Sequence, residues 1–230
     1  MKLIGSGRAA DIFDLGHGRV LRRSRVGENY ENEARVMEWV RAHGVNVPEV
    51  FDVDADGLVM QRLDGPTLLD SLRAKPWTAW AVGRQLGGLH RALDSVPVPD
   101  WLIDLRPPVP GIGPGVPLAV VHLDLHPDNV MLHDGERFLI DWTNGRAAPR
   151  AFDVATSWLI LSKLGRAEKA TRRAFESVAR QAMIEAMLRS NDRKAAAAML
   201  ATTIRWRLGD RKNLASEQES LHHWLDRLTG

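Results

Sequence analysis

The chain has 230 residues, enough to bury a real core in one domain of two lobes or in two small domains, and no cysteine, which rules out a disulfide and fits a reducing compartment. Its formal charge of +2 sets 31 Lys and Arg against 29 Asp and Glu, too even a balance to argue for a nucleic-acid partner. No apolar run approaches the roughly 18 residues of a membrane span, and "MKLIGSGRAADIF" has no apolar core of signal-peptide length, so the expectation is a soluble, cytoplasmic protein with no membrane partner.

In chain order, "KLIGS", "ADIFDL" and "RVLRR" read as short strands separated by glycines. A helix follows from about Asn29 to Ala42, stopped by Gly44 and Pro48, and then two more strands, "EVFDVD" and "GLVMQ". From Thr67 the pattern turns helical: Val82, Leu86, Leu89 and Leu93 are spaced to form one buried stripe. Residues 95–117 hold seven of the twelve prolines together with Gly111, Gly113 and Gly115, which predicts an irregular crossing. "RFLIDW" is an apolar strand ending at Asp141, and beyond it the pattern predicts helices over about 152–164, 167–189, 192–207 and 215–228. The fold class is therefore α+β, with a small sheet lobe (residues 1–62) and a larger helical lobe (63–230). The segment after Asp153 carries fourteen Lys/Arg against eight Asp/Glu, and everything up to it is net acidic by four.

The densest chemistry lies in "HLDLHPDNVML", from His122. As a straight strand it would put His122, Asp124 and His126 on one face, a ligand set for a zinc or manganese hydrolase. If the chain turns at Pro127, the notable spacing is Asp124 followed five residues later by Asn129. That is the spacing of a kinase catalytic loop, where the Asp faces the substrate hydroxyl and the Asn holds magnesium. A polar turn that satisfies its own backbone is the third possibility.

Four further features bear on the choice. "GSGRAADI" supplies Gly5, Ser6 and Gly7, either an ordinary hairpin or a loop whose amides approach phosphates; it lies between strands, where a dinucleotide fingerprint would open a helix. In "RVLRR", Arg22 takes the position where a kinase has its strand lysine, although a basic edge strand would look the same. On the following helix Glu33 shares a face with Val36, Met37 and Val40, so it is the acid expected to point inward, with Arg22 its candidate cation. "LIDW" delivers Asp141 twelve residues after Asn129, as a second magnesium ligand would require, or simply ends a strand in a turn. The ordered set has no counterpart for the metal cage: His133, His222 and His223 sit in no ligand-like motif.

Taken together, these residues resemble the aminoglycoside phosphotransferase and choline kinase superfamily of small-molecule kinases with a protein-kinase-like fold. "HLDLHPDNVML" and "LIDW" are close to its H-G-D-L-H-P-G-N and I-D-F/W, "LVMQRLDG" is similar to its hinge and "DVATSW" to its segment after the magnesium Asp. The resemblance covers roughly residues 4–160 and implies a two-lobe fold, ATP and Mg²⁺ as cofactors, and a small-molecule hydroxyl acceptor. It implies Asp124 as catalytic base, Asn129 and Asp141 as Mg²⁺ ligands, and Arg22 with Glu33 on the α and β phosphates. The backbone of Gln61 and Leu63 would grip adenine behind Met60, Asp153 would brace the catalytic loop by accepting its amides, and His122 and His90 would be structural. Leu123 and Asp128 depart from the family glycines and Arg22 from its lysine, so a nucleotide-binding pseudokinase or sensor stands as the alternative, with a metallohydrolase behind it. The span between Asp141 and Asp153 is too short for an activation segment, which points to a small-molecule acceptor over a protein. The positive excess after Asp153 argues against polycationic aminoglycosides. The chain is expected to be a monomer or weak homodimer and to bind no nucleic acid.

Overall fold

The computed structural model describes residues 1–7, 10–25, 27, 29–54, 57–105, 109, 112–113, 115–163, 170–209 and 215–229. In chain order they form β1 (Lys2–Ser6), β2 (Ala10–Gly16), β3 (Arg19–Ser24), α1 (Glu31–Ala42), β4 (Val50–Asp54), β5 (Gly57–Gln61) and α2 (Leu68–Ala74). Then follow α3 (Ala79–Ala92), α4 (Asp100–Asp104), β6 (Ala119–Val121), β7 (Val130–His133), β8 (Glu136–Leu139) and β9 (Arg146–Ala148). Four helices close the chain: α5 (Arg150–Lys163), α6 (Ala170–Arg189), α7 (Arg193–Leu208) and α8 (Ala215–Thr229). The residues divide into two compact units, Met1–Ala74 with Pro127–Gly145, and Lys75–His126 with Arg146–Gly230.

The first unit is built on an antiparallel sheet in the order β1-β2-β3-β5-β4. The five strands and the helix after the third are those the sequence pattern predicts. The sheet closes tightly at Gly57: a Cβ there would lie 2.2 Å from the carbonyl oxygen of Arg22, so only glycine lets β5 pass β3 at this point. Helix α1 starts two residues later than its pattern suggests, because Asn29 stays outside it and accepts the Glu31 amide through Oδ1 at 2.7 Å. It buries Glu33, Ala34, Val36, Met37 and Val40. Helix α2 is opened by a reciprocal pair in which the Asp70 carboxylate accepts the Thr67 amide (3.2 Å) and the Thr67 hydroxyl accepts the Asp70 amide (3.1 Å). The β7–β8 hairpin completes the unit, preceded by a 3₁₀ turn over Pro127–Asn129.

In the second unit α3 packs against α6 through small residues. A Cβ on Gly83 would lie 2.1 Å from the Met183 carbonyl, and one on Gly87 2.7 Å from Ser190 Cβ. This shifts the buried face of α3 onto Val82, Gly83, Leu86, Gly87 and His90, leaving Leu89 half-buried and out of the expected stripe. Strands β6 and β9 pair antiparallel with Val121 opposite Arg146; β9 carries no sequence signal, being three residues long. Val109, Val121, Leu123, Ala148 and Phe152 form one core cluster, and Leu159, Ile204 and Leu221 another, under α7 and α8. Asp192 caps α7 by accepting the Ala195 amide at 3.0 Å. The proline-rich stretch includes the short helix α4, set off by Pro99, while residues 106–108, 110, 111 and 114, like 164 and 167–169 of the expected helices, lie outside the described residues. Among the described residues no helix is long and apolar enough to cross a membrane.

Candidate active site

In the first unit one guanidinium joins two acids. Arg22 projects from β3, its Nη1 2.5 Å from Glu33 Oε1 on α1 and its Nη2 2.9 Å from Asp141 Oδ1 just after β8. The Tyr30 ring lies 5.2 Å from the guanidinium carbon. Glu33, only 3% exposed, also accepts the Trp142 amide at 3.0 Å, and the Thr143 hydroxyl lies 3.0 Å from Glu33 Oε2 and 2.8 Å from Asp141 Oδ1, its single proton serving one carboxylate at a time. Burial opposes the charge on Arg22, but Glu33 and Asp141 outweigh it and hold the guanidinium protonated. Burial also pushes Glu33 above the ordinary carboxylate range; Arg22 pulls it back, and Asp141 adds to the upward push.

The β7–β8 hairpin brings Asn129 and Asp141 to one end. Val130 pairs with Leu139, and the Ile140 amide donates to the Asn129 carbonyl at 3.1 Å, so Asn129 enters and Asp141 leaves the ribbon side by side. Asp141 takes φ +63, a left-handed conformation that turns the chain sharply after the strand. One carboxylate and one amide oxygen make a hard-oxygen pair that suits magnesium completed by phosphates, whereas among the described residues no three His, Cys, Asp or Glu side chains group as a metal cage.

The other first-unit candidates lie on the sheet. Gly5 lies in β1 next to a register shift against β2, and neither it nor Gly7 has a positive φ; a Cβ at either would meet the nearest described atom at an ordinary 3.6 or 3.5 Å. Among the described residues, then, nothing inside the protein requires glycine there. Ser6 is engaged by its neighbours, donating to Asp11 Oδ1 at 2.8 Å and accepting from Arg25 at 2.6 Å. Met60 and Gln61 close β5; the Gln61 amide donates to the Glu49 carbonyl, while the Leu63 N–H makes no hydrogen bond to the described residues.

The second unit holds Asp124, the residue expected from the sequence to act as base. After β6 the chain turns through Leu123 at φ +58, a conformation that favours glycine, and the buried Leu123 side chain offsets that cost within the core cluster. Asp153 on α5 accepts the Leu123 amide at 2.8 Å through Oδ1 and meets His90 Nδ1 at 3.0 Å through Oδ2; His90 Nε2 lies 3.0 Å from the Ser157 hydroxyl. Burial would raise the Asp153 carboxyl, but His90, His122 and the Leu123 amide overcome it and hold it below the usual carboxylate range. His122 is fully buried, its Nδ1 3.3 Å from the Asp124 amide nitrogen. Asp124 is about a quarter exposed (25%), with Oδ2 3.6 Å from His126 Nε2 and Oδ1 3.8 Å from Arg207 Nη1 on α7.

Sequence reasoning missed Thr143, Tyr30 and Arg207. Thr143 follows Asp141 by two residues, a spacing that carries a signal once Asp141 is singled out; Arg207 lies 83 positions from Asp124, and nothing local marks it.

The sequence matches the model of the phosphotransferase enzyme family (APH) over residues 1–112 and 98–186. It is 30% identical over 171 residues to the KEOPS complex subunit Bud32 of Pyrococcus abyssi, covering 62% of this chain and 66% of that protein. It is 25% identical over 159 residues to a probable bifunctional tRNA threonylcarbamoyladenosine biosynthesis protein of Methanospirillum hungatei, covering 67% of this chain but 25% of that protein. The chain thus spans less than two thirds of the length of either relative. Among solved structures, the aminoglycoside phosphotransferase APH(4)-Ia superposes with a TM-score of 0.63 at 15% identity, covering 98% of this chain and 90% of that one. A choline/ethanolamine kinase family protein from Mesorhizobium loti gives 0.58 at 16% identity, covering 99% and 87%. These structural likenesses establish the protein-kinase-like fold, and because the family match runs over most of its length, the chain belongs to the phosphotransferase enzyme family.

Proposed function

We propose that the protein transfers the γ-phosphoryl group of ATP, with Mg²⁺, to a hydroxyl of a small molecule. The observation that carries this reading is the β7–β8 register, which sets Asn129 beside Asp141 while Arg22 ties Asp141 to Glu33. Asp124 accepts the acceptor's proton as its oxygen bonds to the γ-phosphorus, the bond from that phosphorus to the β–γ bridging oxygen breaks, and ADP leaves with the electron pair. Asp141 and the Asn129 amide oxygen would hold Mg²⁺, which when bound would supply charge neutralisation on the phosphates. Arg22, kept protonated by its two acids, offers a guanidinium to the α and β phosphates. Glycines that the described protein contacts do not require, at 5 and 7, suit a loop whose backbone closes on phosphate, and the Leu63 N–H with the Gln61 carbonyl suits an adenine edge behind Met60. Asp153 and His122 hold the Asp124 loop in shape.

A second reading comes from the relatives: one is a KEOPS complex subunit, and another, from Archaeoglobus fulgidus, 24% identical over 147 residues, is a probable serine/threonine-protein kinase. On that reading the acceptor hydroxyl belongs to a protein partner. Incubation with γ-labelled ATP separates the readings by where the label goes, to a small molecule or to protein, and adding tRNA shows whether nucleic acid changes the rate. Asp124→Asn is expected to lower turnover by at least roughly 10²-fold while sparing ATP affinity. Full activity in that variant would sink the assignment, and ATP binding with no hydrolysis or transfer in the wild type would favour the sensor alternative.

A further inference from the structure

The surroundings of Asp124 within the second unit indicate what kind of acceptor it serves. Arg207, in the last turn of α7, places Nη1 3.8 Å from Asp124 Oδ1, with the two side chains 23% and 25% exposed. That separation is a charge contact rather than a hydrogen bond. Helix polarity favours a cation in a last turn but does not aim it at a carboxylate. Arg205, in the same turn, is exposed, as a merely solvated cation would be. The neighbouring Trp206 fixes the direction: its ring packs edge-on to Phe152 at 5.5 Å between centroids, and the Arg146 guanidinium sits 5.4 Å from its centre. Arg146 pairs across the β6–β9 ladder with Val121, three residues before Asp124. Phe152 precedes Asp153, which holds the Leu123 amide. The packing that shapes the base's loop therefore also positions two arginines, and α7 belongs to the segment with six more Lys/Arg than Asp/Glu.

We propose that the acceptor carries an anionic group, a carboxylate or a phosphate, which Arg207 engages while the acceptor's hydroxyl faces Asp124. This rests on the phosphotransferase reading and names its substrate class. A guanidinium presents a planar fork that matches either anion. An acceptor's ammonium group would meet the Arg207 cation there, so polycations are disfavoured by the same geometry. Arg207 is a specificity-determining residue on this view: its charge selects the acceptor, and Asp124 takes the proton.

The test uses pairs that differ in the anion: glycerate against glycerol, and ribose 5-phosphate against ribose, with kanamycin as the polycation. Transfer from ATP·Mg²⁺ is followed by ADP release, and binding of each probe to the complex with AMP-PNP·Mg²⁺ by ligand-observed NMR. The anionic member should exceed its neutral partner by about 10- to 100-fold in affinity or kcat/KM, as a charge-assisted contact predicts. Arg207→Gln should collapse that ratio through KM, and Arg207→Lys should restore part of it. Equal or better use of the neutral or ammonium probes overturns the proposal, as does a preference that persists undiminished in Arg207→Gln. So does a panel in which no anionic probe binds or reacts better than its neutral partner. AMP-PNP·Mg²⁺ affinity of the wild type, measured on the same sample, tests the phosphotransferase reading separately, so the two failures are distinguishable.

Discussion

Replacing Arg22 by methionine removes the one cation shown to join Glu33 and Asp141 and leaves the other contacts of Glu33, the Trp142 amide and the Thr143 hydroxyl, in place. A buried pair stripped of one partner costs about 3–5 kcal/mol, because the remaining charge stays out of water uncompensated. Glu33 meets that condition at 3% exposure; Asp141, with a side chain 39% exposed, is screened by solvent and adds little. At roughly 2–4 °C per kcal/mol for a chain of this size, Tm should fall by roughly 6–20 °C near neutral pH. The deficit should also depend on pH. Burial already holds Glu33 above the ordinary carboxylate range, with Arg22 opposing, so losing Arg22 raises it further. Between the ordinary glutamate value and that raised value the folded state retains a proton the unfolded state has released, so stability falls as pH rises through the window. The gap between wild type and Arg22→Met, followed by calorimetry, should therefore be widest at pH 8 and shrink toward pH 4, while Arg22→Lys, which keeps the charge, should show a smaller and flatter gap. A gap that is constant or that widens in acid would refute this account of the cluster.

Other substitutions test other parts of the molecule. Gly83→Ala should cost roughly 1–3 kcal/mol or more, read by urea denaturation, because its Cβ would meet the Met183 carbonyl at 2.1 Å and α3 and α6 must part. Leu123→Gly should be more stable than Leu123→Ala by about 1 kcal/mol, since both lose the buried side chain and only glycine relieves the positive φ; the reverse order would mean the turn is not strained. Asp153 is held below the usual carboxylate range, so its contribution is present above that range and is lost as pH falls through it; Asp153→Asn should lower stability at neutral pH and flatten the acid limb of the Tm–pH curve. Asp141→Ala should abolish the Mg²⁺ dependence of ATP binding measured by calorimetry, and His126→Ala should leave it intact.

What the sequence made legible was whatever repeats or punctuates locally. The five strands of the first sheet show in apolar alternation between glycines, and α1 in the common face of Glu33, Val36, Met37 and Val40, which is also what selected Glu33 as the inward acid. Pro127 broke the strand reading of the His122–Leu132 stretch, and a 3₁₀ turn begins there. Leu89 misled because helical spacing alone cannot tell that Gly83 and Gly87 let α6 approach so closely that the buried face rotates toward His90. Strand β9 and Arg207 were illegible for a different reason: each takes its place from a partner far along the chain, Val121 for the strand and Asp124 for the arginine.

The departure at Arg22 looks different in three dimensions from how it reads along the chain. As a residue type it replaces a compact, strongly hydrated ammonium with a bulky fork, which raises the question of a weakened enzyme. In place, the fork spans two acids that a single nitrogen would have to share: Nη1 lies on Glu33, Nη2 on Asp141, and Tyr30 stands near the guanidinium. Thr143 adds a hydroxyl between the same two carboxylates. The larger cation thus comes with side chains that satisfy its extra donors and damp the repulsion between Glu33 and Asp141. A mere loss of lysine would leave no such accommodation, since a buried fork without matching acceptors costs more than the charge returns. Arg22→Lys accordingly discriminates between a degraded site and a rebuilt one: in a degraded site lysine improves ATP·Mg²⁺ affinity, whereas in a site rebuilt around the fork it leaves Asp141 less constrained and weakens affinity, and calorimetric titration reads the sign directly.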